Sequence, residues 1–313
     1  PGALALGPEG TLYIADIHNN RVLGVDLDSG VISRVIDDHG LLWAPGGLAV
    51  AENGVLYVAD SEHDRVCAVN PSGVGCETVV GGVNCHAEMS DEEAADSYCK
   101  PGEDGVLLKP HGVAVAPDGT LYIGDAANAR IRAYHPDSGE VSTYAGVSSV
   151  GLSGDGGPAI EAEIGLPGEM TFGPDGTLYF ADLFNHRIRA IDPDTGEITT
   201  AAGSGVGPPA SSPSQDLLAN LRLSRKSGGY GGDGSPAGEA KLNQPWGLAF
   251  DPDGVLYVAD AGNNRIRAVG TLPTRGPSFA LYSGALTAAA AAAVVMLGVP
   301  LRVIWRQRRR DRL

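Results

Sequence analysis

The chain has 313 residues, 43% of them hydrophobic, with 45 glycines and 21 prolines but few aromatics, a composition that turn-dense all-β structure requires and that can fill a large core. Its formal charge is −16; six of the 22 basic and one of the 38 acidic residues fall from Arg302 onward, which leaves 16 against 37, a net −21, over the rest. So acidic a surface repels phosphate backbones and excludes nucleic acid as a partner.

In chain order one unit returns five times: GPEGTLYIAD ending at Asp16, AENGVLYVAD at Asp60, APDGTLYIGD at Asp125, GPDGTLYFAD at Asp182 and DPDGVLYVAD at Asp260. Each reaches an arginine five positions later, at Arg21, Arg65, Arg130, Arg187 and Arg265. A repeat of this kind specifies architecture more strongly than any single motif. The repeats lie near 1–40, 45–80, 110–146, 167–203 and 245–270. The third displays the plan. Gly112 to Val115 predicts a first strand, closed by the turn cluster Pro117-Asp118-Gly119. Leu121 to Ile123 predicts a second, Arg130 to Tyr134 an alternating third, and Val141 to Tyr144 a fourth after Pro136-Asp137-Ser138-Gly139. Four short antiparallel strands per unit of roughly 40 residues is the pattern of a propeller blade. The aspartate closes the second strand and the arginine opens the third, so the pair is expected to tie the turn between them. Residues shared by all copies do not mark one unique site.

On these residues the chain resembles the NHL-repeat family, in the form found in bacterial proteins and teneurins. Residues 243–269, NQPWGLAFDPDGVLYVADAGNNRIRAV, follow that consensus closely, and the stretches Gly154-Asp155-Gly156-Gly157-Pro158-Ala159 and Gly232-Asp233-Gly234-Ser235-Pro236-Ala237 match the element that precedes such blades. The resemblance covers residues 1–271 and implies an all-β fold, a β-propeller usually of six blades, that most often serves as a recognition platform. Two departures stand out. Five repeats are present, and after Val269 the segment Gly270 to Thr274 has no apolar alternation for a fourth strand. Because propellers close their ring to remove open edges, a sixth blade or a closing strand upstream of Pro1 is expected.

Residues 272–278 then read as a linker. From Phe279 to Leu301, 23 residues carry no charge, enough at about 1.5 Å per residue to cross a ~30 Å hydrocarbon core, so a transmembrane helix is expected there. Arg302, Arg306, Arg308, Arg309, Arg310 and Arg312 make a basic tail over 302–313, which the positive-inside rule places in the cytoplasm with the propeller outside. A buried terminal helix is the alternative. Leu272-Pro273-Thr274-Arg275-Gly276 departs from a sortase signal, because glycine does not directly follow Thr274.

Cys67, Cys76, Cys85 and Cys99 form an even set within one blade and the connection after it, which in an exported protein favours disulfides. Cys67 in a third strand faces Cys76 in the fourth, so the expected pairs are Cys67 with Cys76 and Cys85 with Cys99; other pairings, and zinc, stay open.

Long insertions occur at 81–109, 147–166 and 204–244, always between a fourth strand and the next first strand, hence on one face of a propeller. Loops on a rigid scaffold are where binding residues gather. After the leading proline of each repeat stand Gly2, Gly46, His111, Gly168 and Trp246, followed by Ala3, Gly47, Gly112, Glu169 and Gly247. His111, Glu169 and Trp246 break the pattern and are the candidates for a unique contact at the channel mouth, with Thr171 where other copies have alanine. Asp155 and Asp233 are further top-face candidates. Their loops have glycines where a calcium loop has oxygen ligands and read first as turns. The acidic run Asp91-Glu92-Glu93 with Asp96 reads as a solvated loop, with calcium or a basic partner as the alternative.

The sequence therefore points to a membrane-anchored extracellular recognition or sensor propeller for a protein, peptide or glycan, without a cofactor or catalytic residues. The alternative is a metal-dependent lactonase- or lyase-like enzyme with its site at the channel mouth. Such a site needs several converging ligands, and the inner strands ALAL, GLAV, GVAV, EMTF and GLAF supply few.

Overall fold

A computed structural model describes residues 2–36, 40–70, 75–82, 105–205 and 228–270. It is an all-β, five-bladed β-propeller. Blade 1 holds β1 (Leu4–Leu6), β2 (Thr11–Asp16), β3 (Arg21–Asp26) and β4 (Ile32–Ile36). Blade 2 holds β5 (Pro45–Val50), β6 (Leu56–Asp60), β7 (Arg65–Val69) and β8 (Glu77–Gly81). Blade 3 comprises β9 (Pro110–Val115), β10 (Leu121–Asp125), β11 (Arg130–His135) and β12 (Glu140–Ala145). Blade 4 has β14 (Pro167–Phe172), β15 (Leu178–Asp182), β16 (Arg187–Ile191) and β17 (Glu197–Ala202), with the short β13 (Gly157–Pro158) added outside β17. Blade 5 has β18 (Pro245–Phe250), β19 (Leu256–Asp260) and β20 (Arg265–Val269). Every pairing is antiparallel and sequential, and each first strand packs against the first strand of the next blade.

The core lies between blades rather than within them, since each sheet has two apolar faces. Leu48 and Val58 of blade 2 meet Ala15 and Val22 of blade 1. Val113 and Ile123 of blade 3 meet Tyr57 and Val66 of blade 2. Met170 and Phe180 meet Ile131 and Ala114, and Val258 meets Ile188. Packing is close where inner strands pass one another. A Cβ on Gly112 would stand 2.0 Å from the Gly168 carbonyl oxygen, and one on Gly47 would stand 2.3 Å from that of His111. Only glycine fits there.

The expected tie between each aspartate and the arginine five residues on holds in the first two blades, at 2.8 Å for both Asp16–Arg21 and Asp60–Arg65. In the other three the aspartate pairs instead with the arginine seven residues on. Asp125 meets Arg132 at 3.1 Å, Asp182 meets Arg189 at 3.8 Å and Asp260 meets Arg267 at 3.6 Å. The cause is in the sequence: that position is Leu23 and Cys67 in blades 1 and 2, so only there does the nearer arginine take the carboxylate.

The same aspartates perform a second task. Asp60, Asp125, Asp182 and Asp260 accept the backbone N–H of Trp43, Leu108, Gly165 and Asn243, in each case 17 residues upstream, at 2.6–2.8 Å. The incoming loop is thereby fixed just before the inner strand begins. A further contact crosses to the next blade. The residue after each short 3-10 turn is left-handed, and the side chains of Asn20, Asp64 and His186 from this position accept the N–H of Ala44, Lys109 and Gln244 at 2.7–2.9 Å. Ala129 occupies the position in blade 3 and lacks the group.

Cys67 and Cys76 are joined across the β7–β8 turn, their Cα atoms 5.3 Å apart, as expected. Cys85 and Cys99 lie outside the described residues. The Cys67→Ser, Cys76→Ser double variant is expected to lose about 2–3 kcal/mol, the scale for closing so short a loop, in urea titrations of oxidised protein. Equal midpoints for the two proteins would contradict this.

No helix among the described residues is long and apolar enough to cross a membrane. The expected linker, the apolar segment 279–301 and the basic tail lie outside the described residues, as does the acidic run at 91–96. The sixth blade or upstream closing strand is not among the five blades seen.

Candidate functional site at the channel mouth

Each first strand from blade 2 onward begins with a proline opposite the aspartate that ends the second strand: Pro45 with Asp60, Pro110 with Asp125, Pro167 with Asp182 and Pro245 with Asp260. The ladder then slips before regular pairing resumes. Such bulges re-aim the side chains they carry. They hold the positions at which His111, Glu169 and Trp246 replace glycine.

The structure brings His111 and Trp246 together although they belong to blades 3 and 5. Their rings meet edge-on, with centroids 4.4 Å apart and planes at 86°. Gly46 of blade 2 makes room on the other side: a Cβ there would stand 3.1 Å from His111 Nδ1 and 2.9 Å from Ser61 Oγ. Ser61 Oγ is already committed, donating to the Pro110 carbonyl at 2.6 Å. His111 Nδ1 is buried without a hydrogen-bond partner, while part of the ring surface remains open. Burial lowers the imidazole pKa to about 4, so the ring is neutral at physiological pH.

Glu169 takes the place that Gly47 and Gly112 hold in blades 2 and 3, where the next blade's backbone would collide with any Cβ. By the same geometry its side chain is directed toward blade 5, and it is 8% exposed with Oε1 unpartnered. Burial pushes the carboxyl up to about 8. The mouth thus holds a neutral imidazole and a protonated carboxylic acid, each with an unused polar atom, in a lining that is otherwise mostly glycine and alanine. Buried polar groups left unpaired in this way cost stability and call for an explanation.

The other candidates lie elsewhere. Thr171 is half-buried two residues farther along β14, opposite Tyr179. Asp155 and Asp233 sit at the outer strands and are occupied. Asp155 accepts from Arg189 at 2.7 Å and Thr200 at 2.6 Å, while Asp233 bonds Arg267 and accepts from the Tyr230 hydroxyl at 2.6 Å. They are local ties and not part of the mouth. Among the described residues no three His, Cys, Asp or Glu side chains are grouped to hold a metal. Sequence reasoning missed Trp43, 54% exposed in the loop before blade 2, whose ring meets His63 at 5.9 Å. Trp43 is two residues before Pro45, so the offset from the blade's proline was its only signal.

A model of the Teneurin NHL domain matches residues 29–135, and a model of the NHL repeat matches residues 242–268. The chain is an NHL-repeat protein. It is 30% identical over 170 residues to Protein SUPPRESSOR OF QUENCHING 1, chloroplastic, of Arabidopsis thaliana, covering 52% of this NHL chain and 14% of that protein. The chain therefore spans a small part of this relative's length. Among solved structures, an auxiliary nutrient binding protein from Bacteroides ovatus is similar with a TM-score of 0.59 at 18% identity, over 87% of this chain and 59% of that one. A streptogramin B lyase is similar with a TM-score of 0.52 at 15% identity, over 87% and 65%. These likenesses are of fold; binding proteins and enzymes both share it.

Proposed function

We propose that this NHL propeller is a recognition module that takes its ligand at the channel mouth. The observation behind this reading is the meeting of His111, Trp246 and Glu169 from three blades, with His111 Nδ1 and Glu169 Oε1 buried and unpartnered. A neutral acceptor or donor beside an aromatic edge suits an uncharged, hydrogen-bonding group, such as a sugar hydroxyl or a peptide amide, better than an ion. The exposed Trp43–His63 pair would extend the contact over the rim. In this reading residues 279–301 anchor the propeller to a membrane, with the arginine-rich tail on the cytoplasmic side, and a closing strand or sixth blade completes the ring.

Glycan and peptide arrays probed with the whole chain test this. Any ligand found is expected to bind Trp246→Ala and Glu169→Gln at least about tenfold more weakly, the loss of one good contact. A ligand held equally well by both variants would remove the mouth from the reading.

An enzyme is the second reading, and the raised carboxyl of Glu169 favours it, because acids tuned toward neutrality cluster at catalytic sites. A metal-dependent reaction would draw on His111 and Glu169 as ligands. Stoichiometric zinc or calcium in the purified protein, lost on Glu169→Ala, would promote it over simple binding.

A further inference from the structure

Blade 5 contains a space where the other blades have a fourth strand. In blades 1 to 4 the third strand gives its far edge to a fourth, β3 to β4, β7 to β8, β11 to β12 and β16 to β17. Among the described residues the corresponding edge of β20 is unpaired and faces a cavity of about 980 Å³. Leu242, Val258 and Ala202 line it, together with residues 264–270. The counterparts Ile188 and Ile191 of blade 4 are fully buried, whereas Ile266 and Val269 are only partly covered.

The opposite wall is in place as well. In blade 4 the segment Gly154 to Ala159 lies outside β17 and pairs with it: the N–H groups of Gly156 and Ala159 donate to the carbonyls of Ile198 and Gly196 at 2.8 and 2.9 Å. The matching segment of blade 5, Gly232 to Ala237, borders the cavity, and Gly234 and Ala237 have no such strand to donate to among the described residues. The side-chain network is also assembled but for one member. Arg189 and Arg187 of blade 4 converge with Asp155 on Thr200 of β17. In blade 5 Arg267 holds Asp233, and the exposed Tyr230 bonds Asp233 in the way that Thr200 bonds Asp155. Arg265 lies over the Tyr230 ring, 4.2 Å from its centroid.

We propose that this cavity is a strand-insertion site for an extended peptide supplied by a partner. Two resident strands state the chemistry it selects. β12 continues as Val141-Ser142-Thr143-Tyr144-Ala145-Gly146 and β17 as Ile198-Thr199-Thr200-Ala201-Ala202-Gly203, each preceded by glutamate. Both give an apolar residue, then threonine two positions on, then alanine and a glycine with positive φ. The threonine faces the arginine seven residues after the blade's aspartate: Thr143 pairs with Arg132 and Thr200 with Arg189. An acidic residue ahead of this pattern complements Arg265 and Arg267. Backbone pairing on both sides supplies the affinity, and the alternate side chains supply the choice. A rounded ligand would leave both rows of backbone groups unpaired. The cavity shares no residue with the mouth, so its fate and that of the binding reading are independent.

The test adds a fluorescent GEITTAAG peptide to the full 313-residue chain. Saturable binding is expected, with slowed hydrogen exchange across Arg265 to Val269. Valine in place of the second threonine is expected to weaken binding about tenfold. A proline scan along the peptide is expected to show alternate tolerated and forbidden positions, because successive N–H groups point to opposite edges. Failure to bind, or a proline scan without alternation, overturns the proposal. So does protection of Arg265 to Val269 before peptide is added. That outcome assigns the slot to the chain's own residues if deletion after Gly270 abolishes the protection, and to a second copy if dilution does.

Discussion

Replacing Asp125 with alanine is expected to destabilise the propeller by about 3–5 kcal/mol, the scale for removing one partner of a buried ion pair. Its carboxylate and the Arg132 guanidinium are both fully buried and meet at 3.1 Å. Burial raises the Asp125 pKa, while the bonds from Leu108 N–H, Asn128 and Arg132 oppose it. The substitution strips all of these at once. It leaves a guanidinium charge in the core, a loop N–H without its acceptor and an asparagine amide without its partner. Asp16→Ala is the control. The same residue type ties the same turn in blade 1, but its side chain is 21% exposed and that of Arg21 29%, so about 1 kcal/mol or less is expected. Urea titrations of both variants decide the matter: equal losses would show that the repeat position, and not burial, sets the energetics.

Glu169 gives the second large effect, in pH dependence. Its folded pKa of about 8 lies above the ordinary 4.5, so the native state keeps a proton that the unfolded chain releases. Stability must then fall as pH rises from about 4.5 to 8. His111 has the opposite sign. With its folded pKa at about 4 against the usual 6.5, stability falls as pH drops through that interval. Burial also raises Asp182, to about 6 from 3.8, and its effect is complete by about pH 6. The window from pH 6.5 to 8 therefore belongs to Glu169. Over 1.5 pH units, at about 1.4 kcal/mol per unit, wild type is expected to lose about 2 kcal/mol that Glu169→Gln does not lose. Parallel profiles for the two proteins in this window would mean that the carboxyl is solvated or paired, and the mouth would lose its distinguishing chemistry. A bound ligand that hydrogen-bonds the acid form should oppose the decline.

The repeat made the blades legible because its period, turn residues and alternation agree with one another. The strand plan drawn for the third repeat appears as β9 to β12. The cysteine pair across the β7–β8 turn was legible for the same reason: opposite positions on a hairpin follow from its turn. The ion pairs were only half legible. Asp and Arg five apart are common to all five copies, and the competing arginine at the seventh position could be ranked only by knowing which side chain is enclosed. The mouth was found by asking where copies differ, which works because a propeller places equivalent positions around one axis. That test also picked Thr171, Asp155 and Asp233, because it does not report depth along a strand or a partner from a distant loop. The role of His186 was hidden for a related reason. Its backbone looks like that of a turn residue, while its Nδ1 accepts from the next blade.

The carboxylate that fixes each loop's final residues 17 positions ahead has an engineering consequence. It clamps the arriving chain two residues before the proline in four of the five modules, whether the preceding connection is brief or spans dozens of residues. Connections between modules are thus insulated from the barrel beneath them, and their length can drift without transmitting strain. Foreign sequences grafted into 83–104 or 206–227, upstream of Leu108 and Asn243, should be displayed side by side on one rim of an unchanged scaffold.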